Sequence, residues 1–209
     1  MTAALQTTIS ILSAAEIPAH LPELGALLHA CVHAGASIGF VLPYAEAEGA
    51  SFWREKVLPA ACEGGVLLLV ASKGGKIAGC VLLDCSTMPN QRHRAEARKL
   101  MVHPQFRRQG IARGLMAELE RQAALLGRKL ITLDTRTGDH AEPLYASLGY
   151  ETAGVIPGYC RAPLDDRLES TTIMYKALGE GRAFRCGADG ACGLWSLQDQ
   201  EGGDQEEDH

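Results

Sequence analysis

Two arginines, a glutamine, a glycine and two further residues meet where a helix begins, as Arg107-Arg108-Gln109-Gly110-Ile111-Ala112. The first amides of a helix have no partner inside it, and the helix dipole is positive at that end. Such a corner suits a phosphate or a pyrophosphate. Gly110 lets the main chain approach the ligand, Ala112 keeps the next turn uncluttered, and Arg107 and Arg108 supply charge. Three titratable side chains elsewhere stand out by position. Glu96 lies inside a segment otherwise bound for a sheet, so its carboxylate is either a solvated strand charge, a partner for Arg98, or deliberately placed. Asp134 ends the run LITLD and either caps the turn Thr135–Gly138 or faces a ligand. Tyr145 sits in HAEPLYASLGY, either packing a helix or serving chemistry, whereas Tyr150 reads as core.

The elements that must position these residues follow from periodicity. The segment before the basic turn, Arg94–Val102, reads as a strand stopped at Pro104, which cannot donate to a ladder. After the turn, Ile111, Leu115, Leu119, Ala123 and Leu126 recur near a 3.6-residue period and predict a helix. Upstream, Thr7–Leu12 alternates like a strand, Pro18–Val32 carries a leucine stripe, and a second helix runs from about Glu46 to Ala61 with Phe52, Trp53 and Val57 inward. Val66–Ala71 and Ile77–Asp84, bounded by glycine pairs, predict a hairpin. Lys129–Thr135, Glu151–Ile156 and Ser170–Lys176 predict further strands, and His140–Leu148 a helix.

A chain of 209 residues with 46% hydrophobic content can bury one substantial core, so one domain over 1–178 is expected. Residues 179–209 are rich in glycine and end in acidic residues, and read as a disordered or loosely attached tail. A net charge of −5 without a dominant basic face argues against nucleic acid as a partner. Seven cysteines are scattered without metal-site spacing and read as buried or idle thiols in a reducing compartment, with no metal expected. No apolar run is long enough to span a bilayer, and no basic region precedes an apolar one at the start. A cytoplasmic protein without a membrane partner is therefore expected, as a monomer or a homodimer.

The run Arg107-x-x-Gly110-x-Ala112 after a strand ending LMVHP resembles the acetyl-CoA signature of the GNAT N-acetyltransferases. The order of expected elements also resembles that family. The resemblance implies an α/β (α+β) fold, a mixed central sheet of about seven strands flanked by four helices. A closer likeness, to the tabtoxin-resistance acetyltransferases, lies in GASIGF, NQRHRAEARKLMV, LDTRTG and PGYCRAP. Those enzymes acetylate a β-lactam amino-acid toxin.

The resemblance implies acetyl-CoA as co-substrate and the amine of a small molecule as acceptor. It implies that Leu100, Met101 and Val102 pair through their main chain with the pantetheine arm, beside Arg107 to Ala112 at the diphosphate. It carries the general-base role to Glu96 and Asp134, and to Tyr145 the protonation of the departing thiolate. By their side chains alone, Leu100 to Val102 are also ordinary core residues. His140 stands where the family often has an asparagine, and His103 reads as an exposed strand end. Alternative readings are an acetyltransferase for protein N-termini or lysines, and a non-catalytic acetyl-CoA-binding module.

Overall fold

The computed structural model describes residues 6–179, together with the backbone of 182–186 and 192–196. The apolar runs Val66–Lys73 (β2) and Lys76–Asp84 (β3) form a central antiparallel pair. Their hydrophobicity is continuous because both faces are covered. Leu68 and Val70 pack with Leu24, Leu27, Leu28 and Trp53 on one face, while Leu69, Val81 and Leu83 pack with Leu115, Met116 and Leu119 on the other. Thr7–Leu12 (β1) adds to the β2 edge, and Arg94–Val102 (β4) adds to β3. Leu130–Arg136 (β5), Glu151–Arg161 (β6) and Leu168–Ala177 (β7) complete a seven-stranded sheet ordered β1-β2-β3-β4-β5-β7-β6.

Ile17–His33 (α1) lies on the first face with a helical stretch made of Glu46–Phe52 (α2), a π-helical turn Trp53–Val57 and Leu58–Cys62 (α3). Ile111–Leu125 (α4) and Ala141–Ser147 (α5) lie on the second. The expected mixed sheet with four flanking helical segments is what the chain forms. The expected second helix is interrupted by the π turn, where the fully buried Trp53 donates its indole N–H to Leu24 O at 2.9 Å. Glu151–Ile156 continues to Arg161, since the pairing with β7 bulges at Pro157–Gly158 and resumes at Cys160. Leu126 is not core: the helix has ended there, and the residue is 50% exposed.

Beyond Gly179, Arg182–Cys186 (β8) and Cys192–Ser196 (β9) pair as an antiparallel hairpin separate from the sheet. The rest of the tail, including the acidic end, lies outside the described residues.

Two irregularities make the site. Among the described residues one pairing is parallel, β4 with β5; it covers Arg94–Glu96 against Leu130–Thr132 and stops, although both strands continue. The sheet therefore splays open. On the other side of β4, Arg98 pairs with Leu82 and Met101 with Cys80, so β4 carries one extra residue between them. That bulge reverses which face the following side chains meet.

Candidate active site

The basic turn has the shape its residues predict. Gly110 adopts φ +78° and caps α4, a conformation that favours glycine. Arg108 before it also has positive φ, at +62°. Among the described residues, none of the backbone N–H groups from Arg108 to Arg113 has an acceptor, and α4 has no side-chain cap. A Cβ on Gly110 would meet nothing within 4 Å, so the space before these amides is open. Alternating helical and left-handed residues turn successive amides towards a common point and form an anion-binding concavity. A diphosphate fits this donor set. The requirement at Gly110 is thus conformational rather than relief from a protein neighbour.

Arg107 turns back instead of outward, donating from Nε to Val102 O at 3.3 Å. The Cys31 thiol contacts the same carbonyl at 3.6 Å, so Val102 O is already engaged. Val102 and Leu100 are half-buried and Met101 is buried, and all three sit on the strand edge that the splay exposes. Lys73, from the β2–β3 hairpin, steadies the turn by donating to Gln109 Oε1 at 2.5 Å. Ile111 is buried beneath the turn and Ala112 is half-buried.

Glu96 and Asp134 flank the splay. Ala95, Ala97, Ile131 and Leu133 point to the α4 side, so alternation sends Glu96 and Asp134 to the face covered by α1 and α2. Burial raises the Glu96 carboxyl above its ordinary range, opposed by Arg98 and reinforced by Asp84 and Asp134. Its contact with Arg98 is long, 4.0 Å, because that arginine is held by Asp84 at 2.6 Å. Asp134 accepts from Thr171 Oγ1 at 3.3 Å across β7 and does not cap the following turn. The turn is capped by Glu142 at the Gly138 amide.

Tyr145 is buried on the opposite face, and burial, with Asp134 and Asp139, pushes its hydroxyl well above the usual tyrosine range. Its hydroxyl has no hydrogen-bond partner among the described residues. The splay is consequently a slot with the basic turn and Tyr145 on one side and two carboxylates on the other. Tyr150 is core, stacked edge-on against Tyr145. His140 precedes α5 without a side-chain cap, and His103 Nδ1 accepts from Gln105 N at 3.3 Å.

Sequence reasoning missed Lys99, the extra residue of the bulge, which shares the carboxylates' face. Its Nζ donates to Ile38 O at 2.6 Å and lies over the rings of Phe40 and Phe52. Adjacent charges at Arg98 and Lys99 break strand alternation, and that was the available signal. Phe40 and Phe52 also border a cavity of about 410 Å³ lined by Tyr44, Glu48, Ser51 and Glu55. The Tyr44 hydroxyl is buried there without a partner, and burial pushes it up to about 12. Among the described residues, no group of three or more His, Cys, Asp or Glu could hold a metal ion, and no helix is long and apolar enough to cross a membrane.

A family profile described as acetyltransferase (GNAT) domain matches residues 64–152, the stretch from β2 to the start of β6. The chain is 37% identical over 91 residues to acetyltransferase ECA0875 of Pectobacterium atrosepticum, covering 43% of this chain and 61% of that protein. The chain thus spans about three fifths of that curated relative. Two solved structures share the fold. A ribosomal-protein-alanine N-acetyltransferase from Brucella melitensis has a TM-score of 0.66 at 23% identity, with 82% of this chain and 99% of that one aligned. The yncA protein of Salmonella typhimurium, solved with its cofactor acetyl-CoA, has a TM-score of 0.65 at 19% identity, over 83% and 95%.

Proposed function

We propose that this chain, whose residues 64–152 match a GNAT acetyltransferase domain, transfers an acetyl group from acetyl-CoA to the amine of a small molecule. The observation that carries the reading is the run of unpartnered amides from Arg108 to Arg113, opening beside a splay lined by Glu96 and Asp134. Acetyl-CoA, when bound, supplies an activated acetyl group. The chain's own residues do the rest. The amides and Arg108 hold the diphosphate, and the exposed edge of Leu100 to Val102 orients the arm that follows it.

Glu96 or Asp134 accepts the proton that the amine gives up. A carboxyl raised above its ordinary range by burial is a stronger base than a solvated one. Tyr145 keeps its proton throughout the physiological range and can give it to a departing thiolate. Holding both reactants across one slot supplies much of the acceleration. The free thiols Cys31, Cys80 and Cys85 support a reducing, cytoplasmic setting. The motifs GASIGF, LDTRTG and PGYCRAP support a β-lactam amino-acid toxin as one acceptor to try.

The test is a thiol-release assay with acetyl-CoA over a panel of small amines, amino acids and peptides, with mass spectrometry of the products. Thiol release matched by one added acetyl group on a small amine is expected. Acetyl-CoA binding without turnover of any amine would leave only a binding module, and acetylation confined to peptides would overturn the small-molecule reading.

A further inference from the structure

Lys99 lies at the splay, and the reaction above has no use for it. It adopts φ +55°, a backbone conformation that side chains other than glycine seldom occupy. Strain of this kind persists where surrounding structure enforces it, often at functional sites. The bulge places Lys99 on the face of Glu96 and Asp134, rather than among the core residues under α4. Its ammonium is set between the loop at Ile38 and two aromatic rings, 5.5 Å from the Phe40 centroid and 5.8 Å from that of Phe52. Gly39 permits this approach, since a Cβ there would stand 3.3 Å from Nζ.

An ammonium has three N–H donors. One goes to Ile38 O, and among the described residues no other acceptor and no carboxylate within 4 Å takes the remaining two. Burial disfavours the charged form of Lys99, and Arg98 adds to that, while Asp134 and Glu96 favour it. A half-buried cation with open donors calls for an anion. An acceptor whose amine meets Glu96 or Asp134 would turn a neighbouring group towards Nζ. A monoanionic carboxylate matches one ammonium; a phosphate dianion would be repelled more strongly by the two nearby carboxylates.

We propose that Lys99 selects the acceptor, its ammonium receiving a carboxylate carried a few bonds from the amine that is acetylated. This rests on the acetyltransferase reading and narrows the acceptor to amino-acid-like molecules, as distinct from peptide N-termini. Lys99 is a binding residue for the acceptor and takes no part in proton transfer.

The test uses the full chain and pairs of amines that differ only in bearing a carboxylate or the corresponding carboxamide, with amino acids and their amides as probes. In the wild type, kcat/KM should favour the acid about tenfold to hundredfold, the range of a charge-assisted hydrogen bond. Lys99→Met should erase that preference through the KM of the acid, with the Kd for acetyl-CoA unchanged, and Lys99→Arg should restore part of it. Indifference of the wild type to the carboxylate would overturn the proposal. So would a preference surviving in Lys99→Met, or equal losses for both members of a pair, since a lysine that merely latches the loop would affect both alike. If acetyl-CoA binds but no amine is turned over, the transferase reading fails on its own. Calorimetric titration of the same pairs then decides: acid binding that Lys99→Met abolishes supports the inference, and binding without distinction refutes it.

Discussion

Glu96 pays for its position in stability, and that makes its role measurable twice. Its folded carboxyl titrates above its ordinary value because burial disfavours the charge. The protonated form therefore favours folding, and that contribution is complete below the unfolded pKa and lost as pH rises through the folded one. Above the folded pKa the ionised group costs stability. Glu96→Gln should accordingly raise the Tm near neutral pH while lowering turnover, and the acid limb of the kcat/KM profile should lie above the ordinary glutamate range. Whichever of Glu96→Gln and Asp134→Asn removes the operative base should lose about a hundredfold or more in kcat. A Glu96→Gln variant with unaltered turnover would assign the base to Asp134.

Tyr145→Phe should lower kcat about tenfold or more while changing the Kd for acetyl-CoA less than twofold, because the hydroxyl bonds to no described residue. Equal turnover in the two proteins would reduce Tyr145 to the packing role its burial already gives it. The basic turn was legible from sequence because its surroundings are local. The turn at Arg107 to Ala112 is a matter of consecutive residues, and Gly110 has the conformation its place in the motif requires. Lys99 was not legible, because its importance depends on a register shift against Cys80 and Leu82, which is a property of two strands.

At the scale of elements, the acceptor face depends on how α1 meets α2. A Cβ on Gly49 would lie 2.7 Å from Gly25 O, and one on Gly25 2.9 Å from the Ala50 amide, so the helices touch backbone to backbone. Gly49→Ala should force them apart, at a cost of about 1–3 kcal/mol typical of overpacking. Because α2 carries Phe52, beside Lys99, the KM for the amine should rise, while acetyl-CoA binding, governed by the other face, should not change. Thermal melts and the two constants measured together check this. Strand positions were largely legible, β1 and β4 to the residue, since alternation and Pro104 are local signals. The splay was not, because the end of β4–β5 pairing at Glu96 and Thr132 leaves both strands' hydrophobic patterns intact. Nor was the π turn, at which Trp53 meets Leu24 of a different helix.

At the scale of the molecule, two faces of one sheet divide the work, and the gap between β4 and β5 is where they communicate. The seven strands and the flanking helical segments of this arrangement all lie within residues 7–177. A protein ending at Leu178 is expected to bind acetyl-CoA and turn over the amine within twofold of the full chain, measured by calorimetry and thiol release. A large loss would give the segment that carries the β8–β9 hairpin a part in the site.

The proposed transfer depends on acetyl-CoA being held with its diphosphate against the amides that begin α4. Calorimetric titration of acetyl-CoA into the wild type and Gly110→Asp tests it most directly. Aspartate tolerates positive φ better than most residues, so the variant should fold with a Tm near that of the wild type. Micromolar-range binding by the wild type, about 8 kcal/mol, is expected, with no measurable heat from the folded variant, whose carboxylate would meet the diphosphate. Equal affinity in the two proteins would contradict it.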